Sequence, residues 1–453
     1  MLGLIIATIV TVVVAYCVIK KYKAQGILLV GGLILMIASV PIIGKPILTG
    51  KASTGYIWFD IFKYITNLFE SRAAGLGMII MAVGGFTRYM DKIGASNELV
   101  KICIKPLQLF HAPYIVLGLG YIVGQILNIF IPSASGLGML LMLTMYPILV
   151  SLGVSKGAAT SMIATASCLD LGPASGNATL AALNSGMDVA IYFAEYQIPV
   201  AICVMAVVAI SHVLVQQYYD KKEGHIAEKV ELEVKEGAES APKFYAILPI
   251  LPLFLILTFS QLFIKHIKMD VVTAMIISLA VSMVCEYMRK RDFKAVLSSI
   301  QVFFDGMASQ FAAVITLIVA GEVFAKGLTS IGAIDTVIKG AQTAGFGGYG
   351  MTIVMTMVIV VSSVVMGSGN APFFAFAALA PAVAAKVGMA PVLMLLPMQL
   401  AAGIARNVSP ITAVVVAVAG ISGVSPVEVA KRTAIPMALA IIASLAATFT
   451  LLH

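Results

Sequence analysis

The sequence predicts an all-α polytopic membrane protein built from two inverted repeats, each of about five transmembrane helices plus a re-entrant hairpin. Three observations predict it. Apolar residues dominate the whole chain, breaks of Ser, Gly and Pro recur inside the apolar runs, and the two halves carry the same landmarks at a nearly constant spacing. Of 453 residues 60% are hydrophobic and 11% charged, and mean hydropathy is +1.03. A chain of that composition cannot hide its apolar surface inside one soluble core, so lipid is its expected solvent.

Runs of bilayer length recur from the first residues, as in Leu2 to Ile19, Ile27 to Ile43 and Val189 to Val215. The first is read as a span and not as a secretory leader, because Lys20, Lys21 and Lys23 follow it instead of preceding it and no small-residue cleavage site is evident. Cys17, Cys103, Cys168, Cys203 and Cys285 fall singly in apolar segments, which suggests neither disulfides nor a zinc site. The net charge of +8 comes from Lys and Arg clustered at span ends, where they face headgroups. The expected partner is lipid, and nucleic acid is not expected.

A charged segment, 217–243, reads as a cytoplasmic linker between an N-terminal repeat, 1–216, and a C-terminal repeat, 244–453. Ser135-Gly136, followed by Pro147 and Gly153, is matched by Ser368-Gly369, followed by Pro381 and Gly388. Ser185-Gly186 lies 237 positions before Ser422-Gly423, Pro199 lies 237 before Pro436, and Ile93-Gly94-Ala95 lies 238 before Ile331-Gly332-Ala333. Each half then reads as two plain spans (Leu2 to Ile19 and Ile27 to Ile43; Ala246 to Ile264 and Val271 to Tyr287) and a third (Gly75 to Met90; Gly306 to Phe324). A surface helix from Gly94 or Gly332 comes next, then two arms either side of the Ser-Gly tip (about 113–152; about 350–387). The arms either cross or form a re-entrant hairpin. A broken span (about 156–183; about 391–420) and a final span (Val189 to Gln216; Ala434 to Leu452) close each half.

If the hairpins do not cross, each half crosses five times, and an odd count inverts one half relative to the other. With the N-terminus outside, 19 of the 29 basic residues fall inside, nine outside, and Arg406 within the membrane. That excess inside favours the inverted arrangement.

Backbone that leaves helical geometry in hydrocarbon loses partners worth several kcal/mol each, so breaks point to cavities. There are four: Pro132 to Gly136 and Gly367 to Pro372 at the tips, Gly172 to Asn177 and Arg406 to Pro410 in the broken spans. All are rich in hydroxyl or amide side chains and in backbone N–H groups, which at a helix N-terminus seat a carboxylate. The alternative is that small residues only permit tight helix packing. Arg406 is the sharpest single residue, because a guanidinium within an apolar stretch costs at least ~3 kcal/mol unless paired. It either binds substrate through its fork or pairs permanently with Asp170 in the other broken span. Asp170 and Glu322 are candidates for a coupling proton, with Glu322 alternatively reaching an interface. No P-loop is present, five scattered His give no metal constellation, and the sequons at Asn177 and Asn407 lie inside the breaks. No cofactor and no enzymatic chemistry are expected.

At these residues the chain resembles the DcuC family of bacterial anaerobic C4-dicarboxylate carriers over nearly its whole length. The resemblance is carried by Ala52-Ser53-Thr54-Gly55-Tyr56, Phe244 to Pro249, Gly367 to Phe373, Val414 to Gly420 and Lys431-Arg432-Thr433. It implies cation-coupled uptake, exchange or efflux of succinate, fumarate, malate or similar dianions across the bacterial inner membrane. It also implies membership of the wider ion-transporter superfamily, whose proteins look like dimers with a scaffold domain holding an elevator-type transport domain. On that analogy the substrate-binding residues are Ser133, Ser135, Gly136, Ser368, Gly369 and Asn370 at the tips, and Ser175, Asn177, Asn407 and Ser409 in the broken spans, with an Arg familiar at the place of Arg406. Sodium near the tips, or a proton, would be the coupling ion. Two positions depart from the family pattern: Asn177 where Asp can stand, and Asp170 where an apolar residue is familiar. A carrier of another small anion, a tricarboxylate or an amino acid, is the main rival, and a channel or receptor the more distant one.

Overall fold

The computed structural model describes residues 2–20, 22–110, 112–225, 241–260, 263–264, 266–267, 269–333, 336 and 347–452. Among them the regular structure is helical, with no strand. In the N-terminal half the helices are α1 (Leu2–Ile19), α2 (Ala24–Ile43), α3 (Ile57–Ile93), α4 (Ala95–Ile104), α5 (Pro113–Phe130), α6 (Ala134–Thr144), α7 (Tyr146–Ser151), α8 (Lys156–Thr165), α9 (Gly176–Asn184) and α10 (Val189–Lys222). In the C-terminal half they are α11 (Leu251–Thr258), α12 (Val271–Lys290), α13 (Phe293–Ser330), α14 (Gly348–Met366), α15 (Asn370–Ala377), α16 (Ala380–Lys386), α17 (Pro391–Arg406), α18 (Ala413–Ser422) and α19 (Pro426–Leu451). Eight are long and apolar enough to cross a membrane, four in each half: α2, α3, α5, α10, α12, α13, α14 and α19.

The third spans run further than the sequence reading placed them. Helix α3 continues N-terminally through Arg72 to Ile57, past Lys63 and an exposed Glu70, with the two other charges of this stretch, Asp60 and Arg72, held by partners. Asp60 accepts from Ser53 Oγ (2.6 Å), the Thr54 backbone N–H (2.6 Å) and Thr54 Oγ1 (2.8 Å), which fastens the preceding loop to the first turn. Arg72 Nε stands 2.7 Å from Glu322 Oε1 of α13, and Arg72 Nη2 donates to Glu322 Oε2 at 3.0 Å. At the other end of the same pair of helices Ser299 Oγ donates to the Tyr89 hydroxyl at 3.2 Å, so α3 and α13 run antiparallel. Each contains a π-turn, Ala73–Gly77 and Phe311–Ile315, and the two begin 238 positions apart, the spacing the sequence landmarks carry.

The span expected over Ala246 to Ile264 is shorter: a 3-10 turn over Lys243–Ile247 leads to α11, eight residues long. Pro249 and Pro252 remove backbone donors there and hold back the start of the α-helix to Leu251. The surface helix expected from Gly94 is α4, entered through Gly94 at φ 81°. Its expected counterpart beyond Ala333, residue 336 apart, and most of the linker, 226–240, lie outside the described residues.

The halves pack crosswise. Helix α2 lies along α13 and α12 along α3, each a second span against the other half's third. Helix α8 meets α18, and α9 meets α17, so each broken span presents one arm to one arm of the other. In the first hairpin α5 doubles back against both α6 and α7. Away from the breaks, Arg432 of α19, 2% exposed, is held by Asp220 Oδ1 (2.7 Å), Glu428 Oε1 (2.9 Å) and Glu223, tying α19 to the end of α10.

Candidate functional site

Four chain breaks meet around one cavity of about 260 Å³. Pro132, Ala134 and Ser135 come from the first tip, Gly367, Ser368, Gly369 and Asn370 from the second. Asp170, Ser175, Gly176 and Asn177 come from the first broken span, Arg406, Thr412, Ala413 and Val414 from the second. Ligand cavities for drug-sized molecules run to about 300–1,000 Å³, so this one suits a small metabolite.

Local sequence explains why the chain opens here. Gly367 takes φ 64°, a left-handed turn that ends α14. Ser133 caps α6 by accepting the Gly136 N–H (3.2 Å), and Ser175 caps α9 by accepting the Ala178 N–H (3.3 Å). Two glycines are required by close approach. A Cβ on Gly369 would stand 2.2 Å from the Ala402 carbonyl oxygen, and one on Gly403 would stand 2.3 Å from that of Cys168. The second tip therefore rests on α17, and α17 on the first break, with backbone against backbone.

The broken carbonyls are satisfied from within the protein. Gln125 Nε2 donates to Thr165 O (2.8 Å), Gln399 Nε2 to Leu169 O (3.0 Å) and Asp170 O (3.3 Å), and Arg406 Nη2 to Ser167 O (3.0 Å). Gln197 Nε2 donates to Gln399 Oε1 (2.7 Å) while its own Oε1 accepts the Gly172 N–H (3.0 Å). Gln125, Gln197 and Gln399 are 0% exposed, and buried amides of this kind persist only when so engaged. In the second break Thr433 Oγ1 donates to Asn407 O (2.8 Å) and Thr412 Oγ1 to Arg406 O.

The groups left open toward the cavity are positive. The N-termini of α6, α9, α15 and α18 all end on its lining, and α15 and α18 take no side-chain cap among the described residues. Four helix N-termini and a guanidinium make a seat for negative charge. That seat already contains one carboxylate. Arg406 Nη2 donates to Asp170 Oδ1 at 3.1 Å, with the two residues 9% and 8% exposed. Asn177 Nδ2 bridges Asp170 Oδ2 (3.0 Å) and Asn370 Oδ1 (3.0 Å), linking the first break to the second tip. Asp170 sits at φ 49°, a left-handed conformation that Asp tolerates better than most residues. Arg406 Nε and Asn177 Oδ1 are buried without a hydrogen-bond partner among the described residues.

Of the residues singled out from sequence, the cavity gathers Ser135, Ser175, Asn177, Ser368, Gly369, Asn370, Arg406 and Asp170. Ser133 and Gly136 do not line it: Ser133 faces an adjoining space, and the Gly136 N–H is spent on Ser133 Oγ. Asn407 and Ser409 also lie off the lining, since the turn after Arg406 carries them into packed protein, where Asn407 Nδ2 donates back to Gly403 O (2.9 Å). Glu322 is elsewhere, paired with Arg72. Thr412 was not foreseen, and its only signal was a hydroxyl two residues past Pro410.

Comparison with known proteins adds a lineage to this geometry. A family model described as "C4-dicarboxylate anaerobic carrier" (DcuC) matches residues 2–453. The chain is 39% identical over 453 residues to a probable anaerobic C4-dicarboxylate transporter of Vibrio cholerae, covering 100% of this chain and 98% of that one. It is 38% identical over 445 residues to the anaerobic C4-dicarboxylate transporter of Escherichia coli K12, covering 98% and 96%. In fold it is similar to the YdaH transporter of Alcanivorax borkumensis, whose crystal structure is described as revealing an unusual topology. The TM-score is 0.59 at 13% identity, over 94% of this chain and 97% of that one.

Proposed function

Because the chain belongs to the DcuC family of C4-dicarboxylate anaerobic carriers, we propose that it moves succinate, fumarate, malate or a similar dianion across the bacterial inner membrane as a cation-coupled secondary carrier. It is a multi-pass transporter and not an enzyme. The observation that carries the substrate class is the convergence of four helix N-termini and Arg406 on one cavity of about 260 Å³. Ser135, Ser368 and Asn370 supply donors around it, with Asn370 held in place by Asn177 Nδ2, so both carboxylates of a short dianion find partners without a second buried cation. Arg406 offers a carboxylate its Nε as well as the fork that Asp170 now shares. Asp170 is the proposed place for a coupling proton. The orphan oxygens Asn407 Oδ1 and Ser409 Oγ, beside the second break, are the chemistry a sodium ion travelling with substrate would use. Glu322 carries no coupling role in this reading.

The halves 1–216 and 244–453 are proposed to be inverted repeats joined by the cytoplasmic linker 217–243. The matched π-turns and the crosswise packing of second and third spans support that reading. Hairpins and broken spans would form the unit that moves, helices α2, α3, α12 and α13 the scaffold against which it slides, and two copies would assemble as a dimer.

Counterflow of labelled succinate in proteoliposomes tests the function. We expect fumarate and malate to compete, citrate and glutamate not to compete, and imposed proton or sodium gradients to drive accumulation. Failure of every C4-dicarboxylate to compete would overturn the substrate class, and competition by citrate or glutamate alone would put the rival carrier in its place.

A further inference from the structure

A second space of about 460 Å³ adjoins the central cavity and shares Pro132, Gly176 and Asn370 with its lining. Its far wall is made by α3 and α13, through Thr87, Arg88 and Asp91 on one side and Ser309, Gln310 and Val314 on the other. Both hairpin tips look into it, by Ser133 and by Asn370 and Phe374. Arg88 and Asp91 stand in the last two turns of α3 beside Lys92, so the space reaches toward the end of the molecule where α3 ends and α13 begins with Lys294.

We propose that Arg88 is an outer capture site for the dianion on this path, a carboxylate-binding station that the substrate meets before the tips. The proposal rests on the reading of the central cavity as a dicarboxylate site. Three observations carry it. Arg88 is exposed and lines the space, whereas the basic residues of the central site and of the α10–α19 junction, Arg406 and Arg432, are buried in ion pairs. Arg88 makes no ion pair among the described residues, not even with Asp91 one turn on, so its charge is left without a fixed partner beside the space it lines. Ser309 and Gln310 stand around the same space and supply neutral donors for a second carboxylate, while the Thr87 hydroxyl donates to Val83 O (2.9 Å). A cation at the mouth of a cleft with low-dielectric walls focuses its field along the cleft, raising the local concentration of anions and their rate of arrival. Asp91, the acid of this lining, weakens that field and keeps capture loose enough for release. The central site needs no help from Arg88 once the dianion has arrived, so the effect belongs to one face of the membrane.

Side-resolved exchange kinetics test this, with wild type and variants in membrane vesicles of both orientations and labelled succinate presented at the outer surface of each. From the face that bears Lys92 and Lys294, Arg88→Gln is expected to raise KM about five-fold with maximal rate held within two-fold. Arg88→Lys should restore most of the loss, and Asp91→Asn should shift KM the other way. From the opposite face all four proteins should share one KM. The Arg88→Gln difference should shrink between about 0.1 M and 1 M salt, as the Debye length falls from about 10 Å to about 3 Å. Equal KM for wild type and Arg88→Gln on both faces, with C4-dicarboxylate exchange intact, overturns capture alone. An increase of the same size from both faces also overturns it, placing Arg88 in the scaffold or the central site. Absence of C4-dicarboxylate exchange in wild type overturns the central reading and this proposal with it.

Discussion

Arg406 either holds substrate or holds Asp170, and a double-mutant cycle separates the two. Replacing Arg406 by Gln leaves the Asp170 carboxylate, 8% exposed, without its cation and removes the donor to Ser167 O at 3.0 Å. Breaking a buried pair from one side costs about 3–5 kcal/mol, because the surviving charge stays desolvated. Asp170→Asn strands Arg406 in the same way. In the double variant both charges are gone, and the remaining cost is the orphaned Ser167 carbonyl, about 1–3 kcal/mol. The cycle should therefore return a coupling energy of about 3 kcal/mol or more, seen as recovery of thermal stability in detergent by the double variant over both single ones.

Transport should not follow stability. A charge-assisted hydrogen bond to a carboxylate is worth about 1.5–3 kcal/mol, or about 10- to 150-fold in KM for succinate. Arg406→Gln and the double variant should both show that loss, whereas Asp170→Asn keeps the guanidinium and should keep exchange. A double variant that is stable and transports with wild-type KM would refute the argument: Arg406 would then serve the fold alone.

Gly369→Ala pushes a Cβ to 2.2 Å from the Ala402 carbonyl oxygen, a backbone clash that no rotamer relieves. It should cost about 1–3 kcal/mol and at least tenfold in counterflow, while Gly26→Ala, with nothing within 4 Å, should behave as wild type. Glu322→Gln should lower thermal stability by stranding Arg72, 2.7 Å away, yet leave the cation dependence of succinate accumulation unchanged; loss of that dependence would return Glu322 to the coupling mechanism. Cysteines introduced one at a time at Lys23 and His266, in a background lacking the five native ones, should react with an impermeant maleimide from opposite faces. Labelling of both from one face would refute the inverted arrangement.

The breaks were legible because Gly, Pro and hydroxyl residues interrupt runs that are otherwise helical and apolar, and lipid forbids such interruptions without compensation. The Asp170–Arg406 contact was legible for the same reason, as opposite charges in related breaks. Which break residues face inward was not. Ser135 and Ser133 are two residues apart, yet one lines the cavity and the other spends its oxygen capping α6. The direction of each side chain depends on how the turn closes, and no periodicity governs a turn. Nor could the sequence show that α3 runs through Glu70 and Arg72, since the partner that makes Arg72 acceptable there lies 250 residues away. The buried glutamines were invisible for a similar reason: one amide in an apolar span has no meaning until its backbone partner is known.

Those glutamines bear on selectivity. A helix broken in mid-membrane exposes carbonyls at one end and N–H groups at the other, and by itself such a break favours neither anion nor cation. Here the carbonyls of Thr165, Ser167, Leu169, Asp170, Arg406 and Asn407 receive donors from Gln125, Arg406, Gln399, Thr412 and Thr433. Two of the four N-terminal ends on the cavity, those of α15 and α18, take no such partner among the described residues. The protein cancels the negative ends of its broken helices and leaves positive ones exposed. Open N–H groups in a low-dielectric cavity cost energy while they lack an acceptor, and an arriving carboxylate recovers it. Because the satisfied carbonyls hold the breaks in place without ligand, the recovered energy appears as affinity for an anion and is not consumed in building the site.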